Sequence, residues 1–412
     1  MPLQLFTITS STSPTTPGIL PNLTIASTLS MSRIKLRRSN ESPLVKPSPS
    51  IHSTFFQHLS TVNPLWRYAN FAIHPRQNNL LVTLREDHTN DKDNKQPENV
   101  VNTICVVDTT ASTPTVNIVI QGAGFYATPV LNPSGNKIAW QQWDLPDMPW
   151  EGGLIYVAGV SVDPTSLKIN SEAVLVAGEA GKKAATFPSW IADTTLAYTT
   201  DGYNQYQNPY IFHTDTKEST PVLKTPLTQD FAEPAWWLGY YPFAVLGGGK
   251  YGAFTAFKDG GNILYIVDLT EPSDPVPIEN FDFTVAQHVR TASENTFVFT
   301  ASKTTAPGGV ILGTVSSSSG SYTVEFKVLK PSAEPSKLEK YISKPNPKTL
   351  TGSGGHNIYV VYYAPHNPDY SGSSIPGEKP PCIVGVHGGP TGLESQALNW
   401  NKQFYTSRGF AW

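Results

Sequence analysis

The sequence predicts a mainly β fold: an N-terminal β-propeller followed by the first strands and helix of an α/β domain. Three observations point there. A unit of short apolar strands and tight turns recurs through the middle of the chain. Charged residues are sparse at 15%, whereas Pro and Gly number 36 and 31 and aromatics reach 11%; this mixture suits many short strands and argues against a helical bundle. Close to the C-terminus the pattern changes to strand, Gly-rich loop, helix and strand, the opening of a parallel sheet covered by helices.

The first 54 residues stand apart. They are rich in Ser, Thr and Pro, and Glu41 is their first acidic residue. Arg33, Lys35, Arg37 and Arg38 cluster after Met31, but nothing basic precedes them. That pattern departs from both a secretory signal and a transit peptide, so residues 1–54 are expected to be a disordered tail. The chain is then expected in the cytoplasm, with an organelle transit peptide as the alternative.

Residues 55–335 carry the repeat. Phe71–Pro75, Leu80–Leu84 and Ile104–Asp108 form the first copy. Pro129–Gly135, Lys137–Trp140 and Leu154–Val157 form the second, and Pro188–Trp190, Thr195–Tyr198 and Tyr210–Phe212 the third. Pro234–Trp236, Tyr251–Phe257 and Ile263–Asp268 form a fourth, and Thr296–Thr300 marks a weaker fifth. A pitch of about 45–60 residues is that of propeller blades, each of which buries its faces only against its neighbours. Five copies are clear, and about seven blades are expected because blades diverge in sequence. Asn132-Pro133-Ser134-Gly135 has Pro early and Gly late, as a tight turn requires.

Residues 336–355, rich in Lys, Pro, Ser and Gly, read as a linker. Beyond it, Asn357–Tyr363 is a predicted strand, Pro365–Pro381 a loop, and Cys382–Val386 a second strand. Ser395–Arg408 is a predicted helix with Leu398, Phe404 and Tyr405 toward the core and Gly409 as its C-cap. Cys105 and Cys382, each within an apolar run, are expected to be buried free thiols.

The strand to Val386 ends in His387-Gly388-Gly389-Pro390. A strand running into His-Gly-Gly is how α/β-hydrolases present a backbone N–H to an oxyanion. A propeller, a linker and this tetrapeptide together resemble the prolyl oligopeptidase family of serine peptidases, in its acylaminoacyl-peptidase and dipeptidyl-peptidase-like branch. Pro380–Thr391, Thr406–Ala411, Ala139–Trp150, Asn208–Tyr210 and Glu233–Trp236 carry the likeness, which covers roughly residues 71–412. The resemblance implies that residues 356–412 begin an α/β-hydrolase catalytic domain, that the propeller gates access to it, and that catalysis passes through an acyl-enzyme made by a Ser-Asp-His triad. Gly389, with Gly388, is implied as oxyanion donor, and His387 and Pro390 as shapers of that loop.

No Gly-x-Ser-x-Gly occurs in the sequence, and His356, His366 and His387 precede any position the serine would take. The expectation is therefore of a chain truncated before the nucleophile, an inactive fragment with no catalytic residue of its own; the alternative is a non-catalytic propeller that binds a partner or peptide.

Asp144, Asp147 and Glu151 lie among Trp143 and Trp150, and Glu233 precedes Trp236 and Trp237. An acidic, aromatic loop can hold the α-amino group of a peptide. The blander reading, solvated carboxylates on a packed blade loop, is the one to expect for the first three, and Glu233 is the better candidate. Asp87, His88, Asp91 and Asp93 match no metal-binding loop and read as a solvated turn. Gly247–Lys250 lacks the Ser or Thr and the helix of a P-loop and reads as a turn between strands. No metal or cofactor is expected. The partner is a peptide substrate; a net charge of -3 gives no reason to expect nucleic acid or a membrane, and a homo-oligomer is left open.

Overall fold

A computed structural model describes residues 63–91, 95–110, 115–318, 321–334, 336–388 and 391–412. The tail expected over residues 1–54 lies outside them. The first blade comprises β1 (Trp66–Ile73), β2 (Leu80–Asp87), β3 (Val101–Asp108) and β4 (Val116–Ile120). The second holds β5 (Phe125–Leu131), β6 (Lys137–Trp143), β7 (Leu154–Asp163) and β8 (Ser166–Ile169), with β9 (Val174–Ala177) also on β7. The third is β10 (Ala185–Ala192), β11 (Thr195–Thr200), β12 (Asn208–His213) and β13 (Glu218–Pro221). The fourth is β14 (Phe243–Leu246), β15 (Tyr251–Lys258), β16 (Gly261–Asp268) and β17 (Val276–Pro277). The fifth is β18 (Val285–Ser293), β19 (Thr296–Ser302), β20 (Gly309–Ser318) and β21 (Ser321–Pro331).

Each blade is an antiparallel meander of consecutive strands. The described residues thus form five blades, one per sequence copy, rather than about seven, and these run from Trp66 to Pro331. Two further corrections apply. The repeat unit has a fourth, outer strand; β13 is Glu-Ser-Thr-Pro and β17 only Val-Pro, too short and too polar to show an apolar pattern. Pro234–Trp236 is not a strand. Trp236 N–H turns back on the Pro234 carbonyl at 2.8 Å, and the inner strand of the fourth blade begins at Phe243.

Apolar faces meet between neighbouring blades. Leu80, Ile104, Ile138 and Trp140 join the first and second; Ile155, Leu196 and Tyr198 the second and third. Phe187, Ile211, Phe243 and Phe254 join the third and fourth, and Ile266, Phe297 and Phe299 the fourth and fifth. Among the described residues no such cluster joins the fifth blade to the first, where Phe71, Leu81 and Val107 form a small cluster of their own. A second regularity is in the backbone. β1, β5, β10 and β18 each break register, and beside the first break in each a residue takes positive φ: Asn70, Thr128, Phe187 and His288. These are β-bulges, which tighten local twist and re-aim side chains.

After the propeller, β22 (Pro345–Thr351) pairs antiparallel with β23 (Asn357–Tyr363), so part of the expected linker is strand. Tyr363 and Trp412 exchange N–H···O bonds of 2.8 and 2.9 Å, and Cys382 makes a single parallel bridge to Ala411. The strand predicted over Cys382–Val386 is reduced to that bridge. Val384 and Val386 are 80% and 87% exposed, because no second neighbour pairs with them among the described residues. Cys382 is exposed for the same reason, while Cys105 is buried as expected. The predicted helix shortens to seven residues, Trp400–Thr406, started by Asn399, whose side chain accepts from the Asn401 and Lys402 N–H groups. Its buried face is Lys402, Gln403 and Thr406, with Phe404 out in solvent. Lys402 can be buried because its ammonium meets Glu394 Oε1 at 2.6 Å and donates to the Ser395 carbonyl. The helix C-cap is Ser407, whose N–H bonds back to the Gln403 and Tyr405 carbonyls; Gly409, expected as the cap, lies two residues beyond it and takes φ +90.

Candidate functional site

In an antiparallel meander, alternate turns lie at opposite ends of the sheet. The turns β2–β3, β6–β7, β11–β12, β15–β16 and β19–β20 therefore share one end of the propeller with the crossings between blades. Hydrogen bonds between blades agree. At this end Ala185 N–H donates to the Gly153 carbonyl and Phe257 N–H to that of Asp230. At the other, Ser134 N–H donates to Asp193 and Gly247 N–H to the Glu294 carbonyl.

The first of these ends holds the second segment. Gln396 Nε2 donates to the Asp259 carbonyl at 2.7 Å, and the Gln396 carbonyl accepts from Thr284 and Thr304 hydroxyls at 3.2 and 2.8 Å. Leu398 N–H reaches the Lys303 carbonyl at 2.9 Å. All four acidic candidates lie on this face. Asp144, Asp147 and Glu151 belong to the β6–β7 turn with its short helix (Pro149–Gly152), and Glu233 to the crossing before β14. Trp150 and Trp236 bring the two loops together, with ring centroids 4.7 Å apart.

The carboxylates differ in employment. Asp144 Oδ1 accepts from Gly124 N–H at 2.5 Å, Asp147 Oδ2 from Gly181 N–H at 2.6 Å, and Glu151 Oε2 from Met148 N–H at 3.0 Å. Each fixes a backbone turn, and Glu151 closes the capping box of the short helix. Glu233 accepts instead from a side chain, Gln287 Nε2, at 2.6 Å. Burial pushes its carboxyl above the usual range, and the Gln287 amide only partly offsets this. Two more acids on this face were missed by sequence reasoning. Asp230 is raised by burial, and Asp201 by burial and by the Asp230 charge; they accept from Gln207 and Ala184 N–H groups, both at 2.8 Å. Nothing in the sequence marks Gln287, which sits in the faintest copy of the repeat. The loops that carry Asp201 and Glu233 also carry exposed rings: Tyr203, Tyr206, Trp236 and Trp237.

Of the oxyanion-loop residues, His387 is exposed and its Nδ1 lies 3.2 Å from the Gly388 carbonyl. Gly388 has open space where a Cβ would be. Gly389 and Pro390 lie outside the described residues. The turn carrying His88 is less solvated than expected: the ring is buried between Asp91 and Glu86, at 3.0 and 3.2 Å. Asp93 lies outside the described residues. Gly247–Lys250 is the expected turn, joining β14 to β15.

No protein-family model matches the chain, and neither does any protein of curated function. Solved structures do. A puromycin-hydrolysing peptidase of Mycobacterium tuberculosis is 27% identical, with a TM-score of 0.69 over 84% of this chain and 50% of its own. A puromycin hydrolase is 24% identical, with a TM-score of 0.71 over 84% and 49%. A mutant of puromycin hydrolase complexed with PGG is 23% identical, with a TM-score of 0.71 over 84% and 50%. The chain spans about half the length of these structures. No helix among the described residues is long and apolar enough to cross a membrane. Blades, loop motif and solved neighbours converge on the resemblance drawn from the sequence: over most of its length this chain is similar to peptidases of the prolyl oligopeptidase family.

Proposed function

We propose that the chain is the propeller and the opening of the α/β-hydrolase domain of a serine-type peptidase that acts on short peptides, with the propeller limiting access. One observation carries this reading. Glu233, half-buried and held by a neutral amide, stands on the face where Gln396 docks the second segment. A desolvated carboxylate beside exposed tryptophans fits a peptide's α-ammonium and its first side chains. Asp144, Asp147 and Glu151 are assigned the construction of the loop that presents Trp150. Gly389 and Gly388 are assigned the oxyanion N–H groups, and His387 and Pro390 the shape of that loop.

With no Gly-x-Ser-x-Gly among its 412 residues, this chain alone is expected to be inert. Two measurements test the proposal. Assayed on acyl-peptide and dipeptide anilides, the 412-residue chain is expected to show the buffer rate, and turnover above it would overturn the claim of inertness. Transcript sequencing past the Trp412 codon is expected to find a Gly-x-Ser-x-Gly segment, then Asp and His. A stop codon there would replace the peptidase reading with that of a peptide-binding propeller.

A further inference from the structure

The five inner strands β1, β5, β10, β14 and β18 converge on a cavity of about 240 Å³. Its wall takes residues from every blade, Ala72, Val130, Ser189, Val245 and Arg290 among them. Arg290 is the one cation in that wall, and the wall contains no carboxylate among the described residues.

The surroundings of Arg290 are unusual for a charge. Its guanidinium stacks on Tyr241, 3.3 Å from the ring centroid, and Nη2 donates to the Gly239 carbonyl at 2.7 Å. The ion pairs among the described residues engage His and Lys side chains, and none engages Arg290. By surface area Arg290 and Tyr241 are half-buried, and both line the cavity. Burial pulls the Arg290 pKa down to about 10, with Tyr241 only partly opposing, so the group is charged at neutral pH. His288, whose Nδ1 faces the same Gly239 carbonyl, is lowered by burial and by the Arg290 charge and adds no second cation. A sunken charge without a counter-charge is costly unless something anionic meets it.

We propose that this axial cavity binds a carboxylate, gripped by the guanidinium edge that neither Tyr241 nor Gly239 occupies. A planar fork matches a planar carboxylate in two parallel hydrogen bonds. One cation balances one negative charge, whereas a phosphate dianion would leave a second charge among Val130, Phe243 and Val245. The volume suits a ligand of a few residues at most. The carboxylate has two possible sources, the C-terminus of a short peptide or a free small acid.

The inference requires neither a nucleophile nor Glu233, so it stands or falls apart from the peptidase reading. The test is thermal melting of the 412-residue chain at fixed ionic strength with N-acetyl-trialanine, its C-terminal amide, acetate or inorganic phosphate. Acetylation removes the amine that Glu233 would take. The acid is expected to raise the melting midpoint by about 2 °C at roughly tenfold excess over Kd, and the amide to leave it unchanged. Matching stabilisation by acetate identifies a free acid as sufficient, while stabilisation by the peptide acid alone identifies a peptide C-terminus. Arg290→Met is expected to fold, since it removes an uncompensated charge, and to lose the shift. Equal shifts from acid and amide, a shift from phosphate alone, no shift at all, or a shift that R290M retains would each overturn the proposal. Should R290M not fold, the acid and amide comparison on the unaltered chain decides.

Discussion

Glu233 and the three acids of the β6–β7 turn share a face but not a chemistry. Three carboxylates are committed to backbone N–H groups, and substitution there would unfasten a loop before it touched a ligand. Glu233 is different because burial raises its pKa. An amine ligand needs it ionised, so the affinity for a free-amine peptide is expected to rise with pH through the window above the ordinary carboxylate range. Glu233→Gln should weaken that binding roughly tenfold at neutral pH and flatten the acid limb, as calorimetry of tri-alanine would show; an unchanged profile would remove Glu233 from the site. The stability effect has the opposite sign. The folded chain holds this proton more tightly than the unfolded one, so stability falls as pH rises from the ordinary value through the raised one. Denaturant titrations across that window should show a smaller fall for E233Q. The acid and its tryptophans were legible as a motif. Its partner Gln287 was not, because the two are 54 residues apart and only blade stacking joins them.

Elements were legible where burial writes a pattern. β23 was read to the residue, and the inner and middle strands of the first three blades to within about six residues at their ends. The outer strands were not, since one solvated face and four residues or fewer leave little signal in β13 and β17. The repeated bulges were invisible as well: Asn70, Thr128, Phe187 and His288 have nothing in common as side chains, and the shared feature is φ alone. The segment Cys382–Val386 misled in the other direction. Its composition is that of a buried parallel strand, but a strand exists only through its neighbours, and here it has one bridge. The turn Asn132–Gly135 did follow from sequence. Gly135 N–H closes on the Asn132 carbonyl at 2.9 Å, Gly135 has φ +77, and its carbonyl meets His74 Nε2 of the first blade at 2.9 Å. A Cβ there would lie 2.3 Å from the His74 ring. Gly135→Ala is therefore expected to destabilise the chain by about 1–3 kcal/mol, measured by urea unfolding; a cost within error would show that the turn can relax away from the first blade.

At the scale of the whole molecule the two parts are held unequally. The blades share continuous apolar clusters, whereas the second segment sits on the propeller through a few hydrogen bonds centred on Gln396 and exposes Val384 and Val386. Thermolysin is expected to cut first between Pro365 and Asn399 and to leave the blades intact, read by mass spectrometry of early digests; loss of both parts at one rate would contradict this. The blades themselves are not joined alike. Four junctions are sealed by buried aromatic and aliphatic side chains, and among the described residues the junction of the fifth blade with the first lacks such a seal. A ring of this kind is mechanically a split washer. Outward force from a guest on the axis is not shared around the circle but gathers at the slit, where two sheets can part without dewetting or rewetting a core. Compliance is thereby confined to one joint, and the remaining four can stay rigid while the bore changes width.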